Sequence, residues 1–366
     1  MPFQIIRNDI TKVKADAIVN TANPKPRIGR GTDSAIYAAA GEDQLLAARK
    51  KIGDIAPGQA AHTEAFGLAA KYIIHTVGPV WVDGQHSERD TLRACYENSL
   101  LLADQLSCKS IAFPLIATGT YGFPKDEALH IALSEIQRFL LTREMKVTIV
   151  VFDRKALELS ENLVGGIEQY IDDHAAKMLR EREQGDKGPQ SYRRRKANRA
   201  EESMVFTSIN ALPLSYPAEA ANDAEEDFEL AAPTMAAALP DMAGKSLDEV
   251  LSDAGESFQQ RLLKLIDESG MDDVAVYKKA NIDRKVFSRI RCKPDYKPKK
   301  KTAVAFAIAL ELDMPTMTDL LSRAGIAFSP SDTFDLIISY CVANKIYDIF
   351  EINAALFKYG QPILGE

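Results

Sequence analysis

Short apolar runs alternate with longer amphipathic stretches through the first half of the chain. The short runs are rich in β-branched residues, which is typical of buried strands. The predicted strands cover residues 3–7, 17–20, 60–64, 72–77, 110–114 and 147–152. The predicted helices cover residues 33–40, 42–51, 89–106, 125–142 and 155–180. This alternation predicts a three-layer α/β sandwich with a mixed sheet.

From Ser246 onward the pattern is almost wholly helical. Apolar residues recur at helical spacing from Phe258 to Ile266, and Gly270 ends that helix. A second helix is predicted over 274–279, Asp283 is the predicted cap of a third, and Thr302 is the predicted start of a fourth over 303–312. The remaining predicted helices cover 317–324, 332–344 and 349–357. The pattern predicts a separate all-α helical domain.

The stretch between these halves has a different composition. From about residue 181 it is highly charged, then acidic and rich in Ala and Pro, and it has no apolar periodicity. Such a composition is typical of a disordered linker. The predicted organisation is therefore a sheet domain over 1–180, a linker over 181–245, and a helical domain over 246–366.

The composition narrows the class of protein. With 46% hydrophobic and 27% charged residues among 366, the chain is typical of soluble globular proteins. No apolar run approaches the length of a bilayer span, and no signal peptide is visible at the start. The four cysteines lie far apart, as expected of reduced thiols in a cytoplasmic protein. A net charge of −7 argues against a protein that coats nucleic acid uniformly.

A glycine loop follows the second predicted strand. The strand ends near Asn20 and Asn23, and Gly29 and Gly31 precede an Ala-rich helix. We expect one of the residues 32–34 (Thr32, Asp33 or Ser34) to cap this helix. A strand, a glycine loop and a helix N-terminus in this order favour phosphate binding, because backbone N–H groups point at the ligand.

A second glycine loop, residues 116–124, follows the predicted strand 110–114. It reads Ile-Ala-Thr-Gly-Thr-Tyr-Gly-Phe-Pro. In open α/β sheets, ligands bind beyond the carboxyl ends of the strands, where both loops are expected. Two such loops suit a diphosphate better than a single phosphate.

Five sequence blocks in order resemble the macrodomain family. They are Asp9-Ile-Thr11, Asp16-Ala-Ile-Val-Asn-Thr-Ala-Asn23, the helix segment Asp33–Gly41, His75-Thr-Val-Gly-Pro79 and Pro114–Pro124. The resemblance covers roughly the first 175 residues. It implies a macrodomain fold with a pocket for ADP-ribose, free or attached to a protein or nucleic acid.

The resemblance also implies which residues bind the ligand. Asp9 would accept the adenine amino group, Ile10 would lie beside the base, and Phe152 would stack on it. Asn23 would face the distal ribose, and backbone N–H groups of the two loops would contact the diphosphate. The implied ligand-binding residues are Asp9, Ile10, Asn23, Gly29, Arg30, Gly31, Thr118, Gly119, Thr120, Tyr121, Gly122 and Phe152.

Within this family, the MacroD-like hydrolases carry an aspartate ten positions after the second asparagine. Asp33 has this spacing from Asn23, so Asp33 and Asn23 are the implied catalytic residues. The implied reaction is hydrolysis of mono-ADP-ribose from a macromolecule, or deacetylation of O-acetyl-ADP-ribose, with Asp33 and the substrate diphosphate activating water.

Two features leave alternatives open. Asp33 is also a residue type that caps helices, and the four glycines usual in these hydrolases are here Ile28, Gly29, Arg30 and Gly31. The alternative function is therefore a non-catalytic ADP-ribose reader that regulates the C-terminal domain.

Residues 255–330 resemble the helix-turn-helix domain of the lambda-repressor (XRE) type. The resemblance implies that the helix from Asp283 to Cys292 reads DNA or RNA, with Arg284, Lys285, Arg289 and Arg291 on its exposed face. The alternative is a protein-interaction bundle whose basic residues are solvated.

The histidines do not have the spacing of metal ligands, so we predict neither a metal nor a cofactor. His75 is expected to be a core histidine, and Asn20 a residue that holds the first loop.

Overall fold

Six strands form one sheet within the described part of the chain, residues 2–152, 161–185 and 256–365 of a computed structural model. They are β1 Phe3–Arg7, β2 Ala17–Thr21, β3 Ala60–Glu64, β4 Tyr72–Thr76, β5 Ser110–Phe113 and β6 Lys146–Val151. Their order across the sheet is β1-β6-β5-β2-β4-β3. All neighbouring pairs are parallel except β3 and β4. The predicted mixed sheet is confirmed.

Side chains alternate between the two faces of this sheet, as the period of a strand requires. Phe3, Val19 and Phe113 belong to the core on one face, whereas Ile18 and Ala112 belong to the core on the other. Helices cover both faces, which explains why the central strands are apolar throughout. The three-layer arrangement agrees with the sequence prediction.

The helices of this sheet domain, defined as β1–β6 with α1–α4, follow the predicted pattern. They are α1 Thr32–Ala40, α2 Glu42–Ile52, α3 Glu88–Gln105 and α4 Lys125–Thr142. A further helix, α5, runs over Glu161–Gly185, while the predicted helical residues 155–160 lie outside the described residues. Helix α5 therefore continues past the predicted boundary at 180, because its last residues are mostly strong helix formers. The rest of the predicted linker lies outside the described residues.

Residues 256–365, called the helical region below, contain seven helices. They are α6 Phe258–Ser269, α7 Asp273–Lys279, α8 Arg284–Cys292, α9 Lys300–Ala309, α10 Met314–Ser322, α11 Thr333–Ala343 and α12 Ile349–Lys358. Asp283 caps α8 as predicted, accepting a hydrogen bond from the Lys285 amide. The prediction that Thr302 starts a helix was wrong. The extended residue Lys299 precedes α9, and its carbonyl accepts hydrogen bonds from the Thr302 and Ala303 amides.

The helical region packs against the sheet domain. The described residues of Met1–Ala176 and Glu256–Glu366 form one compact unit, and the residues of α5 after Ala176 lie outside this first unit. In the first unit, the Phe3 ring of β1 lies 4.7 Å from the Phe350 ring of α12. The predicted combination of an α/β domain with an all-helical region is confirmed, but the helical region is not separate as predicted, because the two share a continuous apolar core.

Asn281 joins the two parts by pairing with an edge strand. It lies in the turn between α7 and α8, is fully buried, and has a φ of 52°. Its Oδ1 accepts a hydrogen bond from the Phe3 amide at 2.9 Å, and its Nδ2 donates to the Phe3 carbonyl at 3.0 Å. The side chain thus completes hydrogen bonds that an edge strand would otherwise leave unpaired.

No helix among the described residues is long and apolar enough to cross a bilayer.

Replacing Asn281 with Ala should lower the free energy of unfolding by about 2–4 kcal/mol. The change leaves buried backbone groups of Phe3 unpaired and places alanine at a positive φ, which asparagine adopts more readily. Urea unfolding measures the effect. Asn98→Ala, which removes one hydrogen bond to the Gly58 carbonyl, is the matched control and should cost about 1 kcal/mol. An Asn281→Ala protein as stable as the wild type would show that this pairing is dispensable.

Candidate functional site

The predicted site residues follow the carboxyl ends of four neighbouring parallel strands. Asp9 follows β1, Phe152 follows β6, the loop 114–124 follows β5, and the loop 22–31 follows β2. These strands are adjacent in the order β1-β6-β5-β2, and the Asn8 amide donates to the Val151 carbonyl at 3.0 Å. The structure therefore brings the predicted residues to one edge of the sheet.

Asp9 is a fixed, charged carboxylate at the β1 end of this edge. Its Oδ1 accepts hydrogen bonds from the Thr11 hydroxyl at 2.8 Å and the Thr11 amide at 3.0 Å, which lower the pKa of the carboxyl. Both of these hydrogen bonds involve Oδ1. Ile10 is buried in the core beside Asp9, and Phe152 at the end of β6 is 80% exposed.

Asp33 lies inside the protein and ties three segments together. It is only 2% exposed. Its Oδ1 accepts a hydrogen bond from Asn20 Nδ2 at 2.6 Å, and its Oδ2 accepts one from the Gly29 amide at 2.5 Å. The carboxylate thus connects the end of β2, the glycine loop and α1.

The prediction that residue 32, 33 or 34 caps helix α1 was wrong. The residue before the helix is Gly31, and no side chain caps it. Asp33 faces the interior because its oxygens are taken by Asn20 and Gly29, and the Ser34 hydroxyl donates to the Gly31 carbonyl. The carboxylate, whose residue type suggested a helix cap, instead accepts hydrogen bonds from Asn20 and from the loop.

Burial raises the pKa of Asp33, whereas the hydrogen bonds from Asn20 and Gly29 and the charge of Arg49 lower it. Burial has the larger effect. A carboxylate with a raised pKa is a stronger base than an exposed aspartate, which favours proton transfer to it.

His75 supports Asn20 from β4. Its Nδ1 lies 3.3 Å from Asn20 Nδ2, which can only donate, so this ring nitrogen is the acceptor. The opposite nitrogen, Nε2, lies 3.0 Å from the Thr63 hydroxyl. Burial lowers the pKa of His75 to about 3, so the ring is neutral. These contacts agree with the predicted roles of His75 as a core residue and Asn20 as a structural one.

Arg49 is a site-supporting residue that the sequence analysis missed. It is 1% exposed and donates hydrogen bonds to the carbonyls of Gly53, Asn23 and Pro24, the last two at 3.1 and 3.3 Å. It therefore holds the start of the loop 22–31 from helix α2. Its position four residues after the buried Leu45 placed it on the inward helix face, which was the available signal.

The two retained glycines are those that the loop geometry requires. A β-carbon at Gly29 would lie 2.5 Å from Asn23 Nδ2 and 2.9 Å from Asp33 Oδ2, and Gly31 has a φ of 65°. Ile28 instead packs against the apolar core, and Arg30 is exposed. The replacement of two glycines by Ile28 and Arg30 is therefore compatible with this loop.

The loop after β5 is braced by internal hydrogen bonds. The Gly122 amide donates to the Gly119 carbonyl at 3.0 Å, and the Phe123 amide donates to the Ala117 carbonyl at 3.0 Å. The Tyr121 carbonyl accepts from the Trp81 amide at 2.9 Å, which joins this loop to the one after β4. Gly119 and Thr120 remain exposed at the tip, and Thr118 and Tyr121 are half-buried.

Asp83, His86 and Glu88 form a cluster with metal-ligand atoms close together. The Glu88 carboxylate already accepts backbone hydrogen bonds from Val82, Gly84 and His86, and such bonds outweigh burial and lower its pKa to about 2. These hydrogen bonds close the loop 82–88, and this role accounts for the cluster.

Comparisons with known proteins place the first part of the chain in a family. The sequence model of the family described as Macro domain matches residues 19–132. A protein of Citrobacter rodentium named O-acetyl-ADP-ribose deacetylase is 42% identical over 167 residues, which cover 44% of this chain and 94% of that protein. The chain belongs to the macro domain family.

A Macro domain-containing protein of Methanosarcina mazei is 46% identical over 147 residues, or 40% of this chain and 78% of that protein. Among solved structures, the Oceanobacillus iheyensis macrodomain with ADP is 37% identical, covering 42% of this chain and 85% of that chain, with a TM-score of 0.41. The helical region lies outside the match to the family model.

Replacing Gly29 with Ala should destabilise the sheet domain, called the macrodomain from here on, by about 1–3 kcal/mol. The reason is that the added methyl group displaces Asn23 or Asp33. Thermal unfolding measures the change. Gly165→Ala in α5 is the matched control, since a β-carbon there meets no atom within 4 Å, and it should be neutral or stabilising by up to about 1 kcal/mol. Equal stability of the two variants would contradict the crowding at Gly29.

Proposed function

We propose that this chain binds ADP-ribose along the carboxyl edge of β1, β6, β5 and β2. The observation that carries the proposal is the order of chemical groups on that edge. A fixed carboxylate lies at one end, a braced glycine loop lies at β5, and a second glycine loop with Asn23 lies at β2. Three strand spacings of about 4.8 Å separate β1 from β2, which suits an extended ligand with an adenine at one end and a ribose at the other.

Each part of the ligand has a matching group in this proposal. The adenine amino group donates to Asp9 Oδ2, the base lies beside Ile10, and Phe152 stacks on its face. The diphosphate contacts backbone amides of the loops 29–34 and 118–122, and Arg30 pairs with a phosphate from its exposed position. The amide of Gly122 is not offered to the diphosphate, because it donates to the Gly119 carbonyl. The role of Gly122 is instead to shape the turn of this loop.

We further propose that the bound ligand is a substrate. The bond broken is either the acetyl ester of O-acetyl-ADP-ribose or the bond from the distal ribose to a macromolecule. In the ester case, a water oxygen attacks the acetyl carbon, Asp33 with the diphosphate takes the water proton, and the ribose oxygen leaves and is protonated. Asn23 orients the ribose, and the relatives named O-acetyl-ADP-ribose deacetylase support this chemistry.

Because Asp33 is buried, this step requires a movement that gives water access to its carboxylate. Since Asp33 is 2% exposed, the loop 28–31 must shift until one water reaches the carboxylate. Each carboxylate oxygen accepts one hydrogen bond here and has a second lone pair for that water.

The second candidate is a non-catalytic ADP-ribose reader. The observation that favours it is the same burial of Asp33, whose contacts with Asn20 and Gly29 are those of a structural residue. A reader binds ADP-ribose and releases no product, so turnover separates the two candidates.

Nucleic-acid binding by the helical region stays a prediction. Arg284, Lys285 and Arg289 are exposed on α8, whereas Arg291 forms an ion pair with Asp273. A recognition helix reads bases mainly with its N-terminal residues. Arg284 and Lys285 instead line a cavity whose opposite wall is the macrodomain, so we leave DNA and RNA out of the proposed function.

Two variants test the proposal. Asp9→Ala should weaken ADP-ribose binding, measured by calorimetry, because the adenine loses its acceptor. Asp33→Asn, which keeps the shape of the side chain and one of its two acceptor oxygens, should keep most of the binding but lower turnover of O-acetyl-ADP-ribose or an ADP-ribosylated protein by about 10²–10⁴-fold, since general-base assistance has that magnitude.

Asp43→Ala, at an exposed position of α2, is the control and should change neither property. Binding by the wild type without turnover of either substrate would favour the reader. Absence of ADP-ribose binding would overturn both candidates.

A further inference from the structure

A cavity of about 440 Å³ lies between the macrodomain and the helical region. On the macrodomain side it is lined by Pro2, Lys109 and Lys146, at the amino ends of β1, β5 and β6, and by the end of α4. Helices α7 and α8 form the other side. The candidate ADP-ribose site lies at the opposite, carboxyl ends of the same strands, one strand length or about 15 Å away. The cavity is therefore a different site.

The floor of this cavity is apolar and its rim is basic. Leu140, Met145, Tyr277, Ile282 and Phe350 are buried and supply the apolar surface. The cationic lining residues are Lys109, Arg143, Lys146, Lys278, Arg284 and Lys285. Only two acidic residues, Glu144 and Asp283, line it. In a chain whose net charge is −7, this is a local excess of positive charge.

Most of these cations form no ion pair within the described part of the chain. Arg143 pairs with Asp104 at 3.0 Å, and Lys278 donates to the Leu141 carbonyl at 2.9 Å. The other four make no ion pair with any residue in the described ranges; they are Lys109, Lys146, Arg284 and Lys285. Among the lining residues, six cations face two carboxylates, Glu144 and Asp283, which leaves an excess of four positive charges. Four unpaired cations around one cavity indicate a ligand with several negative charges.

We propose that this cavity binds a nucleoside polyphosphate, with the base on the apolar floor and the phosphates against Lys146, Arg284 and Lys285. The volume is in the range of small-molecule sites, and an apolar floor with a few charged groups at the rim is typical of them. The aromatic rings of Tyr277 and Phe350 suit a planar base.

The shape of the site favours a single nucleotide over a nucleic-acid strand. A strand requires cations and stacking surfaces that continue over several nucleotides. Here the four unpaired cations line one volume of nucleotide size. Because residues of both parts of the chain contact the same ligand, occupancy should also stabilise the packing of the helical region on the macrodomain.

Calorimetry on the full chain tests this proposal, with ATP, GTP, CTP and UTP as probes. ADP-ribose is present at saturation, so that the first site is blocked. We expect one nucleotide to bind per chain, and the double variant Lys146→Glu, Lys285→Glu to weaken binding at least about tenfold. The matched control is Lys50→Glu, Lys51→Glu on the exposed surface of α2, which should bind as the wild type does.

Three results would overturn the proposal. They are no binding of any nucleotide at about 5 mM, binding that is unchanged in the Lys146/Lys285 variant, and binding of a ten-nucleotide DNA or RNA at least about 100-fold tighter than that of any mononucleotide. The last result would assign the cations to a nucleic acid. Binding of ADP-ribose alone to the same double variant is measured in parallel, so a failure of the first site is seen separately.

Discussion

The buried carboxylate of Asp33 is the contact on which the candidate site depends. Its two oxygens accept hydrogen bonds from Asn20 at the end of β2 and from the Gly29 amide, so the strand, the loop and helix α1 have fixed positions. Such a group would be costly to bury without these partners. Arg49 holds the start of the same loop through the carbonyls of Asn23 and Pro24. Most of the loop is thus held in place before any ligand binds, which reduces the entropy lost on binding, and only residues 28–31 shift to admit the water.

The helical region contributes to the site indirectly, through strand β1. Asp9 follows β1, which is an edge strand of the sheet. Asn281 pairs with the backbone of Phe3 in that strand, and Phe350 packs against the Phe3 ring. The strand that carries Asp9 is therefore fixed on one side by β6 and on the other by the helical region. The two halves of the chain share one core although their sequences have different patterns.

Local sequence signals were sufficient for the strands, most helix positions and both glycine loops. Short apolar runs such as Ala17-Ile-Val19 indicate buried strands when they alternate with helices. Because parallel strands bring their carboxyl ends together, the loops that follow them are expected at one edge of the sheet. Asn281 and Arg49 could not be assigned in this way, because their partners lie 278 and 26 positions away in the chain. The inward direction of Asp33 was also missed, since the same residue type and spacing fit a helix cap.

The most direct test of the account is an amide chemical-shift titration of the full chain with ADP-ribose. If ADP-ribose binds at the carboxyl edge of the sheet, the amides of Asp9, Ile10, residues 29–31 and residues 119–121 shift together and saturate with one equivalent of ligand. Amides of α8 and of the strand amino ends should remain unchanged. Shifts confined to the helical region, or no shifts at the carboxyl edge of the sheet, would contradict the assignment of the site.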